Sequence, residues 1–205
     1  MRLFIVINPG QIVKIKRAIL GGSFDPIHLG HLHLINCLFE QTDYNTLYIV
    51  PVNINNFKRS GSHLSSRDRL AMLYLAKEDF YELYPQNKAK KIIIDDREIV
   101  RSGISYTIDT VRAIKQEENI KEKIGLVMGD DLIADLKGWY KYTELKDEVN
   151  FVVFNRLNKK KEKKEGLTYI DNEIIEVSST EVRAGNFSVL SKRVAQYVRE
   201  KALYN

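Results

Sequence analysis

Residues 21–31 read GGSFDPIHLGH and directly follow an apolar run that ends at Leu20. A glycine pair at the carboxyl end of a β-strand lets backbone N–H groups approach a ligand, because no Cβ stands in the way. A helix that starts near Leu29 would direct the positive end of its dipole to the same place. Open parallel sheets bind ligands in the crevice at the carboxyl ends of their strands. The stretch therefore predicts an anion site between a strand and a helix of an α/β domain.

Short apolar, β-branched runs alternate with longer segments of helical period along the whole chain. We expect strands at 14–20, 47–51, 91–95, 124–128, 150–155 and 168–170. We expect helices at 29–40, 66–83, 107–118 and 191–203, with a pair of helices near 131–147. This alternation predicts an α/β fold, a Rossmann-like doubly wound parallel sheet with helices on both faces.

Two histidines stand at the predicted start of the first helix. His28 and His31 are three residues apart, so they share one helix face beside the glycine loop. A lone histidine more often caps or packs locally, but two histidines with Gly30 between them favour a nucleotide site, with Gly30 leaving room for the nucleotide. His33 should point away from that face, since a helix turns ~100° per residue. With Cys37 as the only cysteine, the sequence favours no protein metal site.

A second segment with phosphate-binding chemistry, SSTEVR, begins at Ser178. Ser178 and Glu181 have the spacing of a capping box, which starts a helix. The same helix start could bind phosphate through the hydroxyls of Ser179 and Thr180, and Arg183 could add a fork of donors. Both interpretations can hold at once.

The size and composition of the chain indicate one domain in a reducing compartment. With 205 residues, 44% of them hydrophobic, we expect a single domain over 14–205 after an N-terminal extension over 1–13. Cys37 alone cannot form a disulfide within one chain. The apolar run 3–7 is too short for a signal sequence or a membrane span. We therefore expect a cytoplasmic protein with no membrane partner; a homo-oligomer is left open.

The formal net charge of +5 raises the question of a nucleic-acid partner. Much of the excess lies in the Lys-rich run 159–166, which has no aromatic residues for base stacking. A solvated loop is the simpler interpretation of this run, and we expect no nucleic-acid partner.

The early and late segments together resemble the HxGH nucleotidyltransferases, a superfamily that includes adenylyl- and cytidylyltransferases and, more distantly, class I aminoacyl-tRNA synthetases. The resemblance implies that the glycine loop and both histidines contact the triphosphate, and that the late Ser-Ser-Thr-x-x-Arg segment clamps its β- and γ-phosphates. The catalytic residues it implies are His28, His31 and Arg183. The ATP-binding residues it implies are Gly21, Gly22, Ser23, Phe24, Asp131, Ser178, Ser179 and Thr180.

Residues 102–110, SGISYTIDT, look like the Ser-Tyr-Thr-x-x-Thr segment that lines the pyridine ring in bacterial nicotinate-nucleotide adenylyltransferases. Residues 129–131, GDD, and the later Trp139-Tyr140 pair resemble the Gly-x-Asp and Trp-Tyr features of that family. The resemblance implies that Asp131 accepts from ribose hydroxyls and that Trp139 stacks on the pyridine, although a single tryptophan is more often a core residue. The substrate-binding residues it implies are Lys58, Ser105, Tyr106, Thr107, Trp139 and Tyr140.

The resemblance departs from the family pattern in two places that affect these expectations. The Pro-His-Lys loop of the family appears here as residues 53–58, NINNFK, so only Lys58 carries over. Residues 1–12 have no counterpart.

The resemblance implies adenylyl transfer from ATP to the 5′-phosphate of nicotinate mononucleotide, which gives nicotinate adenine dinucleotide and pyrophosphate in NAD biosynthesis. Mg²⁺ is expected to arrive with ATP and keep most of its waters, without a dedicated carboxylate cage. The alternative enzyme is a sister adenylyltransferase acting on nicotinamide mononucleotide or phosphopantetheine. From another class, a basic nucleic-acid-binding module would explain the net charge but not the two phosphate-binding segments.

Overall fold

The computed structural model of the chain describes residues 5–6, 12–13, 15–53, 64–155, 164–173 and 177–204. Lys58 and residues 159–163 of the Lys-rich run lie outside the described residues. Within the described ranges, helices pack on both faces of a six-stranded sheet.

The strands are β1 (Ile5–Val6), β2 (Ile12–Val13), β3 (Arg17–Gly22), β4 (Thr46–Pro51), β5 (Lys91–Ile94), β6 (Ile124–Gly129), β7 (Val149–Phe154) and β8 (Leu167–Ile170). The six-stranded sheet has the order β5-β4-β3-β6-β7-β8, and every neighbouring pair is parallel. Counted from β3, this is the 3-2-1-4-5-6 order of the doubly wound dinucleotide fold. The Rossmann-like fold predicted from the sequence is therefore confirmed. β1 and β2 pair with each other, antiparallel, in a separate two-stranded sheet.

The α-helices are α1 (Leu29–Gln41), α2 (Ser66–Leu83), α3 (Arg97–Arg101), α4 (Thr107–Glu117), α5 (Tyr142–Glu148), α6 (Ser179–Arg183) and α7 (Lys192–Glu200). The 3₁₀ helices are Pro85–Asn87, Asp130–Leu132, Leu136–Gly138 and Phe187–Val189. Among the described residues, every helix is too short or too polar to cross a bilayer.

The pair of α-helices expected near 131–147 is only partly right. Two 3₁₀ turns, Asp130–Leu132 and Leu136–Gly138, precede α5, which is the single α-helix of this region. Lys141 has a left-handed backbone with φ of 52°, so the chain changes direction immediately before α5 and no continuous helix can form. The short helix α3 was not expected from the sequence.

The core has two layers, one on each face of the sheet. Along β4, Leu47 and Ile49 pack in the cluster that α1, α2 and α7 cover, whereas Tyr48 and Val50 pack in the cluster that α4 and α5 cover. All six residues of β4 are buried, as expected for a parallel strand covered on both faces. Because the strand order reverses between β3 and β6, the residues that follow these two strands emerge side by side at the carboxyl edge of the sheet.

Candidate active site

The glycine loop begins inside the sheet rather than after it. Gly21 and Gly22 are the last residues of β3 and pair with Val50 and Pro51 of β4. A Cβ on Gly22 would lie 3.0 Å from the end of the Phe24 ring, so glycine here lets that ring fold back over the strand. A Cβ on Gly21 would meet nothing within 4 Å. Gly21 is exposed, which leaves its backbone accessible to a ligand at the carboxyl edge of the sheet.

The two histidines meet at the first turn of α1. His28 is the residue before the helix, and its backbone N–H donates to Nδ1 of His31 at 3.2 Å. The ring centroids are 3.8 Å apart, and the rings of Phe24 and His31 form a T-shaped pair with centroids 5.4 Å apart. Since Nδ1 of His31 accepts this bond, the proton of the neutral ring lies on Nε2, which is therefore the donor atom. His28 is buried, whereas His31 is half-buried at the rim of the loop.

The role expected for Gly30, to leave room for a nucleotide, is wrong. A Cβ on Gly30 would lie 2.6 Å from Cγ2 of Val177 and 3.1 Å from the His28 ring. The space beside Gly30 is therefore filled by the late segment of the chain. Glycine at this position lets that segment pack directly on the first turn of α1.

The late segment starts a helix as its sequence predicts. The hydroxyl of Ser178 accepts from the backbone N–H of Glu181 at 3.2 Å, and the backbone N–H of Ser178 donates to Oε2 of Glu181 at 2.8 Å. The predicted capping box is confirmed, and it fixes the start of α6.

Direct hydrogen bonds join the early loop and the late segment. The hydroxyl of Ser179 donates to the carbonyl of Pro26 at 2.9 Å, and Nη1 of Arg183 donates to the carbonyl of Asp25 at 2.8 Å. These partners are 153 and 158 positions apart in the sequence. Nη2 of Arg183 also donates to the hydroxyl of Thr180 at 2.9 Å. The structure thus brings together, at one edge of the sheet, the two segments that the sequence assigns to phosphate binding.

The described residues expected to bind the second substrate lie at and near the start of α4 and before α5, the helices that cover the sheet face opposite α1. Tyr106 precedes α4, and its ring lies 4.2 Å, centroid to centroid, from the ring of Tyr140. Both rings are exposed, at 36% and 49% of their full accessibility. Trp139, in contrast, is half-buried and packs against the core cluster beneath α4 and α5. Among the predicted aromatic residues, Tyr106 and Tyr140 therefore present the more accessible surface.

The acidic residues after β6 differ in exposure. Asp130 and Asp131 begin the 3₁₀ helix Asp130–Leu132; Asp130 is 3% exposed, whereas Asp131 is exposed. Because β6 is adjacent to β3, Asp131 emerges beside the glycine loop, on the side that leads to Tyr106 and Tyr140. The ribose-binding role of Asp131 stays a prediction.

A buried carboxylate supports the segment around Ser105, and sequence reasoning did not find it. Glu98 of α3 is 6% exposed, and its Oε1 accepts from the hydroxyl of Thr110 at 2.6 Å. Nη2 of Arg101 donates to the same hydroxyl at 3.0 Å. Burial raises the pKa of the Glu98 carboxyl, and the bond from Thr110 opposes that rise. These contacts link α3 to α4 on either side of Ser105. No local sequence pattern predicts them.

A second buried group, under the glycine loop, was also missed. Arg69 of α2 is 1% exposed, and its Nη1 donates to the carbonyl of Ser23 at 2.8 Å. Burial lowers the pKa of Arg69, and the Asp25 charge opposes this effect. The hydroxyl of Tyr204 donates to Oδ1 of Asp25 at 2.7 Å, and Asp25 is 3% exposed. The helical period that buries one face of α2 could have indicated that Arg69 points inward, but nothing local could have indicated its partner.

Among the described residues, no group of three or more His, Cys, Asp or Glu side chains is placed to hold a metal ion. His33 lies with its Nε2 at 3.5 Å from Sγ of Cys37, one turn further along α1. The donors that do converge at the glycine loop are hydroxyls, imidazoles and guanidinium groups. This donor set suits phosphate oxygens and not a bare cation.

Comparison with known families gives a consistent result. The family model described as Cytidylyltransferase-like matches residues 19–185. A protein of Borreliella afzelii named as a probable nicotinate-nucleotide adenylyltransferase is 33% identical over 194 residues, which cover 91% of this chain and 95% of that protein. A protein of Aliarcobacter butzleri with the same name is 33% identical over 188 residues, which cover 92% of this chain and 95% of that protein.

Solved structures share the fold. Nicotinic acid mononucleotide adenylyltransferase of Plasmodium falciparum, in complex with NaAD, superposes with a TM-score of 0.68 at 21% identity, over 93% of this chain and 97% of that chain. A structure named as a putative nicotinate-nucleotide adenylyltransferase of Vibrio parahaemolyticus has a TM-score of 0.64 at 17% identity, over 93% of this chain and 95% of that one. At these identities the superpositions show a shared fold and nothing more specific.

Proposed function

We propose that this chain, which belongs to the nicotinate-nucleotide adenylyltransferase family of cytidylyltransferase-like proteins, transfers the adenylyl group of ATP to the 5′-phosphate of nicotinate mononucleotide. The products are nicotinate adenine dinucleotide and pyrophosphate, and the reaction is a step of NAD biosynthesis. The observation that carries the proposal is the pair of hydrogen bonds from Ser179 and Arg183 to the loop that leads into His28 and His31. Those bonds join the two segments that we propose to bind phosphate.

The triphosphate half of the proposal assigns a role to each of these groups. The backbone from Gly21 to Phe24 and the ring of His28 would contact the triphosphate. Nε2 of His31 would donate to the α-phosphate as charge develops on it. Ser178, Ser179, Thr180 and Arg183 would hold the leaving pyrophosphate.

The chemistry asks for alignment and not for a general base. A phosphate monoester is already largely a dianion near neutral pH, so the 5′-phosphate can attack the α-phosphorus of ATP directly. The protein then contributes by holding donor and acceptor in line and by stabilising charge on the transferred and leaving groups. Groups fixed before the substrate binds serve this purpose best, because they do not have to reorganise during the reaction.

The acceptor half of the proposal rests on the exposed aromatic rings. Tyr106 and Tyr140 would contact the pyridine together with Trp139, and the polar groups of Ser105 and Thr107 would bind its carboxylate or phosphate. Asp131 would accept from a ribose hydroxyl. Lys58 completes the proposed acceptor set and lies outside the described residues.

Enzymes of this family generally use a divalent metal ion with ATP. We propose Mg²⁺ bound to the phosphate oxygens of ATP, since the donors at the loop suit phosphate and the described residues hold no cluster of metal ligands. The ion would neutralise phosphate charge while the protein groups orient the phosphates. Its removal by a chelator should abolish pyrophosphate release.

Pyrophosphate release from Mg-ATP tests the function directly. Nicotinate mononucleotide, nicotinamide mononucleotide and phosphopantetheine are compared as acceptors at equal concentration with the purified protein. We expect nicotinate mononucleotide to give the highest kcat/KM. Faster release with either of the other acceptors would replace the proposed substrate. Salt-dependent RNA binding with no pyrophosphate release would indicate a nucleic-acid-binding protein instead.

A further inference from the structure

Phe24 has a backbone conformation that an aromatic residue rarely adopts. Its φ is 45°, in the left-handed region, and its side chain is 3% exposed. A bulky residue in this region is strained and persists only where its neighbours hold it there. The backbone of Phe24 is therefore strained, and its conformation depends on contacts from other parts of the chain.

Those contacts bracket Phe24 on both sides. The carbonyl of Ser23, before it, accepts from Arg69 of α2 at 2.8 Å. Asp25, after it, accepts twice: its carbonyl from Arg183 at 2.8 Å and its carboxylate from the hydroxyl of Tyr204 at 2.7 Å. The groups that fix the loop thus come from three distant parts of the chain.

The Arg69 bond determines which way the N–H of Phe24 faces. In a trans peptide the C=O and the following N–H point in opposite directions. Because Arg69 binds the Ser23 carbonyl from the α2 side, the N–H of Phe24 is turned away from α2. A phosphate-binding loop needs its N–H groups held in such a fixed direction before the anion arrives.

The Asp25 carboxylate also affects the pKa of the neighbouring Arg69 and Tyr204. The Asp25 carboxylate is buried and lies close enough to Arg69 to oppose the lowering of the arginine pKa. Burial and the Asp25 carboxylate both raise the pKa of Tyr204, so its phenol stays protonated and remains a donor. Replacing that phenol by a phenyl ring removes a donor to a buried carboxylate while the packing of the ring is kept.

We propose that Tyr204 is a positioning residue for adenylyl transfer: its bond to Asp25 ties the end of the chain to the glycine loop and keeps the strained Phe24 peptide in its phosphate-binding conformation. This inference rests on the proposed function and names a residue outside the two phosphate-binding segments. Tyr204 acts through Asp25 and does not touch the substrate.

The test compares Tyr204→Phe with a matched control, Tyr197→Phe. Tyr197 belongs to the same C-terminal part of the chain, is also half-buried, and its hydroxyl also donates to an aspartate, Asp68 of α2, at 2.9 Å. Each variant loses one hydroxyl and one hydrogen bond to a carboxylate. If Tyr204 had only a structural role, both variants would lower Tm, and the kcat per folded molecule would stay at the wild-type value.

We expect Tyr204→Phe to lower kcat roughly ten-fold, the scale of a small misplacement of reacting groups, with the KM for nicotinate mononucleotide unchanged. Tyr197→Phe should keep the wild-type kcat and lose less Tm than Tyr204→Phe, because Asp68 is half-buried and also bonds with Ser65, whereas Asp25 is buried. A kcat for Tyr204→Phe within about two-fold of wild type, or an equal loss in Tyr197→Phe, would overturn the inference while the proposed function stands. A wild-type protein that releases no pyrophosphate from ATP would overturn both.

Discussion

The loop that would bind the phosphates of ATP is held by hydrogen bonds to its backbone, whereas the surface that would bind the acceptor consists of exposed aromatic rings. Residues 23, 25 and 26 accept hydrogen bonds from Arg69, Ser179, Arg183 and Tyr204, and residues 24–26 are buried. The acceptor side presents the exposed rings of Tyr106 and Tyr140, which contact each other. Charge that develops in a transition state is stabilised best by donors fixed in advance, whereas an aromatic ring can be bound by surfaces that adjust.

Two hydrogen bonds nevertheless hold the backbone of the acceptor side in place. Glu98 and Thr110 are buried and bonded to each other, and Arg101 binds the same hydroxyl. These bonds hold the backbone on both sides of Tyr106, whereas the ring of Tyr106 itself is exposed. Substitutions on the phosphate side should accordingly lower kcat. Substitutions on the acceptor side should raise the KM of the acceptor or lower the stability of the fold.

The largest effect is expected on the phosphate side, at His31. The variant His31→Ala removes the Nε2 donor and should lower kcat by roughly 10²- to 10³-fold, the loss seen when one preorganised donor to a charged transition state is removed. Steady-state kinetics with both substrates measures it. His33→Ala is the control on the same helix, since His33 contacts Cys37. Near-wild-type turnover in His31→Ala would remove the proposed role of this residue.

Arg183→Lys should have the next largest effect. Lysine keeps the charge but cannot donate at once to the Asp25 carbonyl and the Thr180 hydroxyl, as the fork of Arg183 does. We expect kcat/KM for ATP to fall about 10- to 100-fold, the scale for a displaced charged donor. Arg199→Lys, at an exposed position of α7, is the control. If both variants retain full activity, the late segment does not act on the phosphates.

Thr110→Val probes the buried contacts of the acceptor side. It leaves the Glu98 carboxylate without its 2.6 Å partner in a buried site, which should lower the free energy of unfolding by about 1–3 kcal/mol. The loosened segment should also raise the KM for the mononucleotide, with the KM for ATP unchanged. Denaturant unfolding and kinetics measure the two effects. Thr168→Val, on the exposed face of β8, should change neither.

The smallest effect should separate Tyr140 from Trp139. Tyr140→Ala removes an exposed ring and should raise the KM for the mononucleotide a few-fold, about the weight of one aromatic contact, without changing Tm. Trp139→Ala should also raise this KM with little change for ATP, but its packing against the core should lower Tm as well. An equal effect of Trp139→Ala on the KM of both substrates would indicate a packing role alone.

Local patterns in the sequence predicted most of the strands and helices. The apolar runs of β4 and β6 and the helical period of α2 lead to the same elements in the structure. The capping box of Ser178 was predictable because all its atoms lie within four residues. The region from Asp130 to Gly138 was harder, since 3₁₀ turns carry the same apolar spacing as short α-helices over so few residues.

The sequence predicted which residues belong to the candidate site, but it did not predict which of them contact each other. The sequence placed His28, His31 and Arg183 in phosphate-binding segments, but it could not show that Val177 fills the space beside Gly30. The bond from Tyr204 to Asp25 spans 179 positions, and such a contact has no local signature. Long-range contacts of this kind are set by how the helices pack on the sheet.

A crystal structure with Mg²⁺ and a non-hydrolysable ATP analogue tests most directly whether the early and late segments form one phosphate site. We predict that the α-phosphate lies within hydrogen-bond distance of Nε2 of His31, and that the terminal phosphates lie against Ser179, Thr180 and Arg183. A triphosphate that contacts one segment and not the other, or that binds away from the glycine loop, would contradict the account.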